Sequence, residues 1–278
     1  MNRWKRWVSA ALSLTLLTGL LPVTAWAASF SSAQTVETAE SAESDSGTCG
    51  EKLTWSYDAE RKTLTISGSG EMEDYTQNNT PWSAAQYDIQ TAVIESGVTS
   101  IGAYGFSGCS NMKSVTLPES VISIGQGAFF GCASLTSIAI PAGVTSIEAS
   151  TFINCTALAE VTLPDSVKRI GDSAFHQCHA LKDLTLPAGL TSIGARAFYA
   201  CRSLTKVEIP NGVTYLGDYA FSFCDALTSV AIPSSVTSMG NYLFENSGSL
   251  TSVTIPDGIT RLSYGMFRGC SSLASVVL

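Results

Sequence analysis

The sequence predicts a repeat solenoid, on three observations. Proline follows Leu or Ile at positions 118, 141, 164, 187, 210, 233 and 256, a constant interval of 23 residues. Phenylalanine recurs with the same period at 106, 129, 152, 175, 198, 221, 244 and 267. Three residues after each Phe stands Cys109, Cys132, Cys155, Cys178, Cys201, Cys224, then Ser247, then Cys270. A fixed period of this length marks a stack of like units, each too small to bury its own apolar stripe and each covered by its neighbour.

One unit reads LTSVxIPxxVTSIGxxAFxxC in its cleanest copies. In LTSVTIP (250–256), Leu250, Val253 and Ile255 are apolar with Thr and Ser between them. That alternation predicts a short strand with one face buried. The proline that follows has no N–H to donate and ends the ladder. A second β-branched stretch, such as Val236-Thr237-Ser238, comes next, and Gly102, Gly125, Gly171, Gly194, Gly217 or Gly240 then permits a tight bend. The helix-compatible AFxxCxxL segment returns the chain along the other side, with Phe and Cys inward. The predicted fold is therefore a leucine-rich-repeat arc: a parallel β-sheet, with short strands and helical turns opposite. A three-sided parallel β-helix is the structural alternative.

The unit resembles the BspA-like leucine-rich repeat family of secreted and surface bacterial proteins. TLPDSVKRIGDSAFHQCHALKDLTLP (162–187) and its siblings carry the resemblance, from about Ile94 to Leu278. GTCGEKLTWSYDAERKTLTISGSGEMEDY (47–75) is similar to the stretch preceding the repeats in that family. The resemblance implies a non-catalytic module that adheres to host, matrix or cell-surface partners through its repeat surface.

Residues 1–27 read as a secretory leader: Arg3, Lys5 and Arg6, an apolar run from Val8 to Leu21, and Ala25-Trp26-Ala27 at the exit. An uncleaved anchor is the alternative, although the apolar run is short for a span. Residues 28–47 read as an acidic linker with little to pack. Residues 48–93 are expected to cap the first rung. LTWSYD (53–58) and TLTIS (63–67) make a hairpin around AERK, with Leu53, Trp55 and Tyr57 against Leu64 and Ile66. Thr80-Pro81-Trp82 reads as a helix start, Thr80 as N-cap and Pro81 at the first helical position. Residues 94–278 form about eight units. At Leu278 the next proline would follow, which leaves three explanations: a chain shortened relative to longer relatives, end-to-end pairing, or a tolerated ragged end. No sorting motif or C-terminal anchor is visible, so release and attachment through a partner both stay open.

The net charge is −8, and loss of the leader's three basic residues deepens it to −11. Residues 28–93 hold 11 acidic and 3 basic side chains, so most of the excess lies there. No basic stripe for nucleic acid exists, and nothing favours anionic lipid. The chain has no GxSxG elbow, HExxH, CxxC pair or phosphate loop; no catalytic residue and no cofactor is expected. His176 and His179 flank Cys178, and two imidazoles with a thiol suit zinc. The period argues otherwise: Cys178 is a column residue facing inward, and both histidines take free surface slots. Seven of the eight cysteines share that column, which predicts buried free thiols rather than a disulfide framework.

The positions that the repeat leaves free are the candidates for binding. On the main strand a charged group, Glu160, Lys182, Asp183, Lys206 and Glu208, interrupts a face of small hydroxylated residues. A second group is aromatic and falls at variable positions of the later units: Tyr199, Tyr219 and Tyr242, with Tyr215, Phe223 and Tyr264. The expected partners are extracellular proteins or glycans. Trp55, Tyr75 and Trp82 are expected to pack within the cap, with sugar binding as their alternative use.

Overall fold

The computed structural model describes residues 45–278 except Thr260. The leader and most of the acidic linker lie outside the described residues. Within them the chain coils through rungs 23 residues apart, each with three sides. Main strands such as Ser137–Ala139 and Glu160–Thr162 pair in parallel, Ser137 opposite Glu160. Shorter strands make the second side; Ser192–Ile193 sits between Arg169–Ile170 and Tyr215–Leu216, again in parallel. The third side is a run of turns over AFxxC. That segment is not helical, although its composition suits a helix.

The reason lies in its hydrogen bonds. Every second N–H of the turn run donates to the next rung: Ser173 to Ala195 (2.7 Å), Phe175 to Ala197 (2.8 Å), Gln177 to Tyr199 (2.8 Å). The N–H groups between them close turns, as His176 to Ser173 (3.2 Å) and Cys178 to Phe175 (3.2 Å). A helix would keep all these bonds within one rung; this arrangement satisfies them while stitching rungs together.

The core is a set of columns. Phe106, Phe129, Phe152, Phe175, Phe198, Phe221, Phe244 and Phe267 stack ring on ring, with centroids 5.3–6.0 Å apart and planes within 17°. The glycine column has a different cause from the bend expected of it. None of its φ angles is positive. Consecutive rungs approach so closely there that a Cβ on Gly217 would lie 2.3 Å from the Ala195 nitrogen, and one on Gly240 2.2 Å from that of Asp218.

The cap is continuous with the main sheet. Ser46–Gly50, Leu53–Asp58 and Thr63–Gly68 are antiparallel, and Thr63–Gly68 then pairs in parallel with Thr91–Ile94, which pairs with Ser114–Thr116. The hairpin has the expected register, Trp55 opposite Ile66 and Tyr57 opposite Leu64. Two expected boundaries move. The first strand begins at Ser46, inside the range assigned to the linker, and Thr91–Ile94 already occupies the main-strand slot. The expected helix at Thr80 is a single 3-10 turn, Ser83–Ala85, with Trp82 at its N-cap and no side-chain cap. Trp82 holds that segment down: its ring is 1% exposed and lies 5.8 Å from Phe106, closing the Phe column. No helix among the described residues is long and apolar enough to cross a membrane.

Candidate functional site: the turn-side surface

In every rung the residues two before and two after the column Phe adopt φ between 54° and 78°. This left-handed conformation costs an L-residue about 1–2 kcal/mol and glycine almost nothing. Gly127 and Gly265 fill the first of these slots in their rungs, but Arg196, Tyr219 and Tyr242 fill it in three consecutive rungs. Their side chains line up along the solenoid. The Tyr219 and Tyr242 rings stack with centroids 4.8 Å apart and planes 7° from parallel. The Arg196 guanidinium lies 5.0 Å from the Tyr219 centroid, in cation–π range. Tyr264 meets Tyr242 edge to face at 5.3 Å and is 74% exposed.

A second cluster adjoins on the same turn run. His176 packs edge-on to Tyr199 at 4.8 Å, and Tyr199 lies against Phe223 at 5.2 Å. The His176 imidazole is held below its ordinary pKa, first by burial and then by Arg196 and His179. Of the sequence-predicted aromatics, Tyr199, Tyr219 and Tyr242 thus come together on one side, with Phe223 and Tyr264. Tyr215 does not join them; it belongs to the short strand Tyr215–Leu216. Arg196 was missed, although it stands one 23-residue period before Tyr219.

The charged group lies on another side of the coil. Glu160 opens the strand Glu160–Thr162. Strand pairing then lapses in the next two rungs, where Asp183 and Lys206 form only an isolated parallel bridge. Asp183, Lys206 and Glu208 surround a shallow cavity of about 240 Å³ floored by Leu184 and Leu186; Glu160 and Lys182 do not line it. Lys206 pairs with Glu208, and that hydrogen bond and charge hold the carboxyl below its ordinary pKa and raise the amine. The Thr205 hydroxyl donates to Asp183 at 3.1 Å. Both ends of the Lys206–Glu208 pair are open to water, so it contributes little to stability.

The histidine–cysteine cluster is divided by the core. The Cys178 thiol donates to the Phe152 carbonyl at 3.2 Å, in the interior, while His176 lies against Tyr199. The same bond recurs along the column: Cys132 to Phe106, Cys155 to Phe129, Cys201 to Phe175 and Cys224 to Phe198, at 3.1–3.3 Å. All eight cysteines are free thiols. Trp55 and Trp82 are 6% and 1% exposed and pack edge-on at 6.0 Å, so their faces serve the cap interior.

Comparison with known proteins gives three results. A family model described as BspA type leucine rich repeat region matches residues 84–203 and 146–274, in 6 copies. No curated protein matches the chain. Among solved structures, a leucine-rich repeat protein from Bacteroides ovatus is 28% identical over 82% of this chain and 70% of its own, with a TM-score of 0.60. A leucine rich cell surface protein from Faecalibacterium prausnitzii is 23% identical over 84% of this chain and 94% of its own, with a TM-score of 0.51.

Proposed function

The chain belongs to the BspA-type leucine-rich repeat family, and on that premise we propose that it is a non-catalytic interaction module, secreted or held at the cell surface, that adheres to extracellular protein partners through its turn-side surface. The aromatic row carries this reading. Arg196, Tyr219 and Tyr242 stand in line over three consecutive rungs outside the buried columns, with the two tyrosine rings stacked at 4.8 Å and the guanidinium 5.0 Å from the Tyr219 centroid. Tyr and Arg are the side chains that dominate protein interfaces. The leader-like N-terminus and the similarity to a cell surface protein of the same fold support the location.

A glycan-binding module is less well supported. Sugar rings stack on open aromatic faces, whereas Tyr242 has Tyr219 on one side and Gly265 beneath it, where a Cβ would come within 2.5 Å of the ring.

The test is a binding screen of the secreted chain against matrix proteins and glycans, beside a Tyr219→Gly/Tyr242→Gly variant and an Asp183→Asn/Lys206→Gln variant. Loss of a protein ligand in the first variant and its retention in the second supports the turn side. The reverse places the contact on the main strands, and a ligand held equally by both variants removes either surface.

A further inference from the structure

The cap holds a second concave site, remote from the aromatic row and not used by the proposed adhesion. A cavity of about 470 Å³ is lined by Asp45, Trp55, Tyr57, Pro81, Trp82 and Asp88, among others. Its walls mix polar and apolar surface: the half-buried ring of Tyr57, the rims of the two buried indoles and Pro81, beside Ser83 and the two carboxylates. Its charges are all of one sign. Asp45 and Asp88 are exposed, and neither joins an ion pair among the described residues, whereas nearby Asp58 is bonded to Arg61 at 2.9 Å. Burial, followed by the charges of Asp88, Asp45 and Asp58, holds the Tyr57 hydroxyl above its ordinary pKa, so their negative field converges on this ring. Trp82 lines the cavity, and its indole N–H is buried with no acceptor among the described residues.

These features select one chemistry. An anion meets two like charges. A hard divalent cation requires a shell of six or more oxygens, which two carboxylates beside aromatic walls do not supply. A neutral apolar ligand leaves both carboxylates unused. A lysine side chain matches each part: an apolar stem along Tyr57 and Pro81, and an ammonium at the acidic rim. Two carboxylates from separate segments suit the three radiating donors of an ammonium better than the planar fork of a guanidinium. We propose that this cavity binds a lysine side chain presented by a partner polypeptide, seating its ammonium between Asp45 and Asp88.

The experiment is a titration of the full chain followed by the indole N–H resonances of Trp55 and Trp82. Three probes are compared: Nα-acetyl-lysinamide, its uncharged analogue Nα-acetyl-norleucinamide, and butylamine. The lysine derivative is expected to shift both resonances saturably. Norleucinamide should leave them unmoved, and butylamine, which lacks the backbone amides, should bind more weakly. Asp45→Asn/Asp88→Asn should weaken binding about tenfold, in line with two solvent-accessible ion pairs, while Glu60→Gln, off the cavity, should not change it. Equal shifts with norleucinamide, unchanged affinity in the Asn variant, or no shift up to the solubility limit would each overturn the site. Butylamine binding as tightly as the lysine derivative would overturn the polypeptide source. Tyr219→Gly/Tyr242→Gly should leave this titration untouched, so the cap site and the turn-side surface fail separately.

Discussion

The hydroxyl of Ser247 donates to the carbonyl of Phe221 at 2.9 Å, in the same place where the thiol of Cys178 donates to Phe152 at 3.2 Å. The Phe152 carbonyl also accepts the turn bond from the Cys155 N–H at 3.2 Å, whereas in the Ser247 rung the Cys224 N–H donates to the Ser247 hydroxyl at 3.3 Å. From Cys132 to Cys270 the column is therefore one of small donors, each bonded to the carbonyl of a Phe 26 residues earlier. Cys178→Ser should keep the bond and change stability by less than about 1 kcal/mol. Cys178→Val removes the donor and adds bulk, and should cost about 1–3 kcal/mol. Urea denaturation of the two variants tests this; equal losses would mean that volume alone sets the column.

Burial raises every thiol of the column, pushing that of Cys109 up to about 12 from an ordinary 9.0. A folded value above the unfolded one favours the protonated, neutral thiol in the native state. Its contribution is complete below pH 9 and is lost as pH rises through the folded value. The urea midpoint should be flat from neutrality to the ordinary thiol value and fall above it. A variant with Cys155, Cys178 and Cys201 changed to Ser should lose less stability over the same alkaline range. In the native chain, Cys270 is only partly buried, so alkylation mapped by mass spectrometry should label it before the buried thiols.

The Phe stack carries the apolar load of each rung. Phe175 lies between Phe152 at 5.3 Å and Phe198 at 5.4 Å and is wholly buried. Phe175→Ala should cost about 3–5 kcal/mol, within the range for a large aromatic removed from a closed core. Phe267 is half-buried and among the described column rings touches only Phe244, at 6.0 Å. Phe267→Ala should cost distinctly less, and equal losses in thermal unfolding would contradict the column account.

The period was plain in the sequence because Pro, Phe and Cys each answer to a constraint repeated in every rung: ladder end, stacked ring, buried donor. The turn-side backbone was not. Eleven of its sixteen left-handed slots hold residues other than glycine, among them Ser150, Asn154, Gln177 and Ala200, so composition gives no sign of the conformation and AFxxC resembles a helix. The strain is offset by bonds to the next rung, which depend on stacking and cannot be read from one unit. The glycines were visible but their cause was not, since a backbone contact between rungs leaves the same residue as a bend. Of the candidate surface, the aromatic row could have been traced on the 23-residue grid from Arg196 through Tyr219 to Tyr242. The lapse in strand pairing around Asp183 has no counterpart in the local pattern, because Leu184 and Leu186 alternate as in any other rung.

The left-handed slots separate backbone strain from ring stacking in the aromatic row. Tyr242 sits at φ 57°, where glycine is at ease and alanine pays the same strain as tyrosine. Tyr242→Ala loses the stack on Tyr219 and keeps the strain, so it should be destabilised by about 1 kcal/mol, the size of one aromatic pair. Tyr242→Gly loses the same stack but sheds the strain. Against that relief stands the larger entropy of its unfolded chain, worth about 0.4–1 kcal/mol. It should therefore be at least as stable as Tyr242→Ala and close to the parent. If thermal unfolding instead places Tyr242→Gly well below Tyr242→Ala, the left-handed backbone at this slot carries no strain that glycine relieves.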